Sequence, residues 1–165
     1  MESSEEIMAG QVSFSQRLDD VASDSFNEMR KCSFFDPIPS DKLRPVAALA
    51  TIRTFKAGDQ LTAEGDEITS FFVMLFGRAS VHVHGNQVAL IHSGECIGES
   101  TFFAAEVASR SATVIAEGEL IAAEIKKTDI DKLQGESRAY MDKALLNALF
   151  RKLQQANRKI EELLR

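Results

Sequence analysis

The alternation of apolar and polar residues divides the chain into three sections. Between residues 50 and 125, short runs of β-branched and aromatic residues are separated by turns rich in glycine and charged residues, a pattern typical of strands. Residues 71–76 are continuously apolar, which predicts a strand that is buried on both faces. A hairpin is predicted around residues 84–87. Because no helical pattern separates successive strands, we expect a barrel or sandwich and not a parallel sheet.

The two flanking sections have helical periodicity. Apolar residues recur at near-helical intervals before residue 49, and Ser40 is a plausible start for a short helix. After the strands, a short helix is predicted from Thr128 to about Gly135, followed by a long helix from Ser137 to the last residue. The predicted organisation is a helical segment over 1–49, a β core over 50–127 and C-terminal helices over 128–165.

A narrow apolar stripe follows the long C-terminal helix. Its members alternate at three- and four-residue spacing, and they are Leu146, Leu149, Leu153, Ala156, Ile160 and Leu163. Such spacing is typical of a two-stranded seam, so we predict a homodimer through this helix. The alternative is a helix that packs only on its own β core.

Charge and cysteine content narrow the function classes. The formal net charge is -6, which disfavours broad contact with nucleic acid or with a membrane surface. The acidic N-terminus is unlike a secretory signal, and we expect a cytoplasmic protein. The spacing of Cys32 and Cys96 matches neither a metal site nor a redox site, so both are predicted to be reduced thiols.

The candidate chemistry lies between residues 94 and 114. Gly98-Glu99 opens a short apolar segment, and Arg110 enters a strand soon afterwards. Backbone N–H groups and a facing arginine attract a phosphate, whereas Glu99 can accept hydrogen bonds from a sugar hydroxyl. These features together describe a site for a ribose phosphate. The alternative is a surface ion pair between Glu99 and Arg110, which contributes little.

Several ordered motifs resemble the cyclic-nucleotide-binding domain family, which includes the bacterial catabolite activator protein and the regulatory subunits of cyclic-AMP-dependent kinase. The matching stretches are residues 55–61, 64–66, 72–77, 91–99 and 110–114. The resemblance covers about residues 34–164. It implies an α+β fold, namely a β-roll jelly barrel (double-stranded β-helix) with N-terminal helices and a long C-terminal helix, whose phosphate-binding cassette here spans 94–114.

The resemblance also implies roles for individual residues. Arg110 would hold the cyclic phosphate, and Glu99 would accept from the ribose 2′-hydroxyl. The backbone of Gly98 and Ser100, with the hydroxyl of Ser111, would complete the cradle.

In this family a residue of the long helix caps the base, and here Asn157 or its neighbour Ala156 falls near that position. The implied ligand is cyclic AMP, with cyclic GMP as the second choice because the Ser111 hydroxyl can also reach a guanine. The chain departs from the family pattern in a longer cassette and in Ser109, where a proline is common.

Two classes of enzyme are alternatives to a regulatory domain. His82-Val83-His84 resembles the His-x-His motif of cupins, but no glutamate follows at the required distance, so no metal site and no cofactor are predicted. Cys96 shows no Cys-His-acid arrangement, which disfavours a nucleophilic enzyme.

A second alternative keeps the same fold as a degenerate scaffold that acts only in dimerisation or protein interaction. We predict a regulatory chain that is itself not an enzyme and that passes ligand binding through its last helix. That helix would act on dimerisation or on an output domain.

Overall fold

The computed structural model describes residues 24–99 and 108–165. The helices lie at the two ends of the described chain. A helix over 24–30 (α1) is followed by a 3-10 turn at Ser33–Phe35 and by α2 at Ser40–Leu49. After the strands come α3, Lys127–Ile130, and α4, Gly135–Leu163. Residues 1–23 of the predicted N-terminal helical segment lie outside the described residues.

Among the described residues, eight strands form two antiparallel sheets of four strands each. The first sheet has the order β1-β8-β3-β6 and the second has the order β2-β7-β4-β5. The strands are β1 Thr51–Phe55, β2 Gln60–Thr62, β3 Ser70–Phe76, β4 Arg78–Val83, β5 Asn86–His92, β6 Cys96–Ile97, β7 Thr113–Ala116 and β8 Leu120–Lys126. The predicted α+β class and strand-rich core are confirmed. Within the described residues, however, the sheets do not close into a barrel.

Strand β3 explains how the layers are arranged. Phe71 and Val73 point to the helices, whereas Phe72 and Met74 point to the second sheet. All four of these side chains are buried, so the strand is apolar on both faces, as its continuous apolar run predicts. The first sheet is therefore the middle layer, with helices on one side and the second sheet on the other.

The first half of helix α4 packs against the hydrophobic core. Met141, Ala144, Leu145 and Ala148 are buried against the helical core. From residue 149 onwards every side chain is partly or fully exposed. The second half of α4 therefore extends past the core and over the end of the sheets, where the candidate site lies.

The apolar seam of α4 differs in part from the predicted stripe. Leu149 is half-buried and Ala156 lines a cavity, so both turn toward the body of the domain. The exposed apolar residues that fit one continuous heptad pattern are Leu146, Phe150, Leu153, Ile160 and Leu164. Successive members are four, three, seven and four residues apart. The exposed Asn157 occupies the heptad position between Leu153 and Ile160. Of the predicted stripe, Leu146, Leu153, Ile160 and Leu163 are exposed. Pairing of these residues with a second copy of the chain stays a prediction.

The β4–β5 hairpin turns at His84 and Gly85, which both have positive φ angles of 49° and 78°. Such angles are typical of a two-residue turn that matches the twist of its strands. None of the helices within residues 24–99 and 108–165 is long and apolar enough to cross a membrane.

Candidate functional site

A cavity of about 440 Å³ lies between the second sheet, the turn at residues 94–99 and α4. This volume is in the range of small-molecule sites. Its apolar wall includes Ile68, Val81, Ala89, Leu90, Ile91, Ile97, Ala112, Val114 and Ala156. Its polar positions are Thr62, Glu95, Gly98, Glu99, Arg110, Ser111, Lys152, Gln155 and Lys159. An apolar wall with charged groups at one end suits a ligand that has both a ring system and an anionic group.

The backbone of Arg110 is fixed by the loop that follows β2. The Arg110 N–H donates to the Asp66 carbonyl at 2.7 Å, and the Gly65 N–H donates to the Arg110 carbonyl at 2.8 Å. An isolated antiparallel bridge joins Glu67 to Ser109. These contacts place the arginine at the entrance to β7, so that its side chain enters the cavity wall.

The guanidinium of Arg110 is only partly satisfied. Its Nη2 donates to the Ser70 carbonyl at 2.8 Å, and its carbon lies 6.0 Å from the centroid of the Phe72 ring. Its Nη1 is buried and has no hydrogen-bond partner among the described residues. Burial lowers the pKa of the guanidinium, an effect opposed mainly by Glu124, but an arginine stays charged at neutral pH. The site therefore holds a positive charge with an unused donor.

Ser70, whose carbonyl accepts the hydrogen bond from Arg110, is itself held by contacts with an ion pair. Ser70 Oγ donates to Glu124 Oε1 at 2.9 Å, and Arg53 Nη1 pairs with Glu124 Oε2 at 2.9 Å. This chain of contacts across β1, β8 and β3 keeps the Ser70 residue in place and thereby positions Arg110.

Gly98 and Glu99 are positioned by pairing with β3. Cys96 and Ile97 form the short β6 opposite Val73 and Phe72. Gly98 follows with a φ of +81°, and a Cβ atom at this position would collide with the Arg110 guanidinium and lie 3.0 Å from the Ser70 carbonyl. Only glycine lets the chain pass so close to the arginine.

The Glu99 side chain lines the same cavity and is 8% exposed. It pairs with Lys152 Nζ of α4, and this ammonium also donates to the Cys96 carbonyl at 2.6 Å. Arg110 and Glu99 both line the cavity, and the ion pairs of the described residues do not include a direct pair between them, which was the alternative. The partner of Glu99 is Lys152.

Sequence reasoning missed the contribution of α4 to the cavity. Lys152, Gln155, Ala156 and Lys159 line it, and their spacing is that of one helical face. Gln155 Nε2 also donates to Glu95 Oε1 at 3.4 Å. Their spacing is a usable signal, but polar residues on a terminal helix are usually solvated, so their place in the cavity lining was not predicted.

The remaining predicted residues are placed as follows. Ser111 lines the cavity wall. Ser100 lies outside the described residues, together with residues 101–107 of the cassette. Asn157 is exposed and is not part of the cavity lining, whereas its neighbour Ala156 is. One residue along a helix rotates the side chain by about 100°, which accounts for the difference.

The side chains considered for enzyme chemistry have other partners. His82 Nε2 contacts Ser80 Oγ at 2.9 Å, and His84 Nδ1 contacts Glu64 Oε1 at 3.1 Å. Burial raises the pKa of the Cys96 thiol, which disfavours the reactive thiolate. No group of three or more possible metal ligands was found in the part of the chain that the structure describes.

The open two-sheet roll, Arg110 with an Nη1 that has no partner among the described residues, and the adjacent Gly98 together form a candidate ligand site. The pattern of the cyclic nucleotide-binding domain family matches residues 52–137, which is more than half of the chain. The chain belongs to this family.

Particular relatives place the chain more closely. A cGMP-dependent protein kinase of Toxoplasma gondii is 25% identical over 126 residues, which cover 74% of this chain and 12% of the kinase. The chain thus spans about one eighth of that relative's length.

Two solved structures share the fold. The regulatory subunit of a cAMP-independent protein kinase A from Trypanosoma brucei has a TM-score of 0.67 at 16% identity, over 90% of this chain and 51% of that one. The regulatory domain of Toxoplasma gondii PKA with cAMP has a TM-score of 0.61 at 20% identity, over 76% of this chain and 49% of that one. Both likenesses lie below 25% identity, and they show that the chain shares the fold.

Proposed function

We propose that this domain is a cyclic-nucleotide sensor that binds one cyclic mononucleotide in the cavity beneath α4. The observation that carries the proposal is the buried Arg110 Nη1, which has no partner among the described residues. A buried charged donor without an acceptor is costly, and a ligand phosphate would remove that cost. The cavity lining has three basic and two acidic side chains, and its net single positive charge matches the single negative charge of a cyclic mononucleotide.

Each predicted residue has a role in this proposal. Arg110 binds the cyclic phosphate, with the backbone at Gly98 and Ser100 beside it. Glu99 accepts from the ribose 2′-hydroxyl, which keeps the carboxylate on the sugar and away from the phosphate. Ser111, on the wall, contacts the phosphate or the base. The apolar wall around Leu90 and Val81 covers the purine, and Ala156 lies where the base is capped in place of Asn157.

Cyclic AMP is the ligand that we propose first and cyclic GMP the second. The relative named above is a cGMP-dependent kinase, and one of the solved structures of this fold contains cAMP. Discrimination between the two rests on contacts at the purine edge, where Ser111 offers a hydroxyl to guanine. Both nucleotides therefore belong in the first titration.

Helix α4 is proposed to relay binding in two ways. Its cavity face responds to the ligand, and its exposed apolar seam pairs with a second copy of the chain. Asn157 in the middle of the seam supports a parallel pair, because a single buried asparagine at such a position specifies a two-stranded register. The helix would also transmit the signal to an output domain in a cytoplasmic signalling protein.

The test is calorimetric titration of the purified chain with cyclic AMP and then with cyclic GMP. One ligand per chain is expected. Arg110→Ala should weaken binding by about 30-fold or more, since truncating one partner of a buried charged contact costs roughly 2–5 kcal/mol.

The control is Arg78→Ala, which removes an arginine that pairs with Glu117 at 2.9 Å and does not line the cavity. This variant should bind normally. A folded, ligand-free wild type that binds neither nucleotide would favour the alternative, a degenerate scaffold. If Arg110→Ala bound as well as the wild type, the site assignment would be wrong.

A further inference from the structure

Lys152 joins the second half of α4, from residue 149 onwards, to the phosphate-binding cassette. Its ammonium pairs with the buried Glu99 carboxylate and donates to the Cys96 carbonyl at 2.6 Å. The side chain is 38% exposed and that of Glu99 only 8%, so the lysine reaches from the helix surface into the protein. A contact that buries a carboxylate in this way is stronger than an exposed ion pair.

The second half of α4 has few other contacts that fix its position. From residue 149 onwards, the side chains of α4 are partly or fully exposed. The other polar contact from this half of α4 to the turn at 94–99, among the described residues, is the long 3.4 Å hydrogen bond from Gln155 to Glu95. The position of this half over the cavity therefore depends mainly on Lys152.

Glu99 can serve the helix and a ligand at the same time. A carboxylate offers about four lone-pair sites on two oxygens. Lys152 contacts Oε1, and the remaining lone pairs of the carboxylate can accept a ribose hydroxyl. The lysine also neutralises the carboxylate, which would otherwise repel a phosphate bound at Arg110 in the same cavity.

We propose that Lys152 is a positioning residue that clamps α4 over the nucleotide through Glu99. The clamp links occupancy of the cavity to the position of α4. Bound ligand fixes the carboxylate, the carboxylate fixes the lysine, and the second half of the helix becomes more rigid. This proposal rests on the proposed function for its ligand, but it makes a separate statement about the helix in the free protein.

The test compares Lys152→Met with Lys143→Met. Both lysines lie on α4, but Lys143 is exposed and does not line the cavity, and among the described residues only Lys152 of the two has an ion pair. Calorimetry with the tighter-binding nucleotide should show a 10- to 100-fold loss for Lys152→Met, about the effect of one charged hydrogen bond. Lys143→Met should lose less than about threefold, as expected for an exposed charge outside the cavity. Lys152→Arg, which keeps the charge, should recover most of the affinity.

Hydrogen exchange supplies the second measurement. In the free protein, Lys152→Met should speed exchange in residues 149–163, and in the wild type the nucleotide should slow it. The double variant of Lys152→Met with Glu99→Gln should bind no worse than the weaker of the two single variants, since both act on one contact.

Equal affinities for the two methionine variants, or tighter binding by Lys152→Met, would overturn the clamp. If the wild type bound no nucleotide, the proposed function would fail. Exchange in the free Lys152→Met protein would then decide the clamp alone, and unchanged exchange in residues 149–163 would refute it.

Discussion

Replacing Gly98 by alanine should weaken nucleotide binding and also destabilise the domain. Gly98 has a φ of +81°, and an added Cβ would collide with the Arg110 guanidinium while lying 3.0 Å from the Ser70 carbonyl. The carbonyl belongs to β3 and cannot move easily. The guanidinium is the end of a longer side chain, so we expect it to be displaced from the position that would hold the phosphate.

The expected magnitudes follow from these two effects. A non-glycine residue in the left-handed region costs about 1–2 kcal/mol. Loss of the 2.8 Å hydrogen bond from Arg110 to Ser70 adds about 1.5–3 kcal/mol at most, less what the freed guanidinium regains from water. We expect a loss of unfolding free energy of about 2–3 kcal/mol. Because the displaced arginine no longer meets the phosphate, affinity should fall by about 30-fold or more.

Gly58→Ala provides the matched control. Gly58 has a φ of +88°, and an added Cβ there would meet nothing within 4 Å. This variant should show the same conformational cost in urea unfolding with unchanged affinity in calorimetry. If Gly98→Ala bound nucleotide as tightly as Gly58→Ala, the close approach of Gly98 to the arginine would not be what shapes the site.

Three further outcomes are expected. Leu153→Glu should shift the chain to monomer in analytical ultracentrifugation, because Leu153 is 59% exposed in the seam, and an unchanged dimer would place the interface elsewhere. Asn157→Leu should strengthen self-association but allow higher oligomers, whereas the cavity-face change Gln155→Ala should do neither. Because burial raises the pKa of the Cys96 thiol, the thiolate should stay scarce in the native protein even at pH 9. Iodoacetamide, followed by mass spectrometry, should then label Cys96 only after unfolding, and rapid native labelling would contradict its burial.

More of the fold than of the candidate site could be predicted from the sequence. The continuous apolar run over 71–76 predicted a strand that is buried on both faces because no alternation was present. The structure confirms this for residues 71–74, whereas Phe76 at the end of the strand is 56% exposed. The two-residue β6 was not predicted, since Cys96 and Ile97 are too few to show a period. It forms because the turn at 94–99 is hydrogen-bonded to β3, a long-range effect that local propensity does not contain.

Within the site, motif spacing located Arg110 and Glu99, and the structure places both on one cavity. It did not locate Lys152, which is 53 residues from Glu99 in sequence. A lysine on an exposed helix is usually solvated, and the partner of a long side chain depends on how the helix crosses the sheet. The rotation of the helix could not be predicted from the sequence either. For this reason Asn157 was named before Ala156 as the residue that caps the base.

The two faces of α4 have a consequence for how affinity should be measured. The cavity face includes Lys152 and the adjacent seam includes Leu153, so any rotation of the helix moves both. If nucleotide changes self-association by some factor, self-association must change nucleotide affinity by the same factor. The apparent dissociation constant would then vary with protein concentration, and each titration curve would describe a mixture of assembly states unless it is repeated over a range of dilutions.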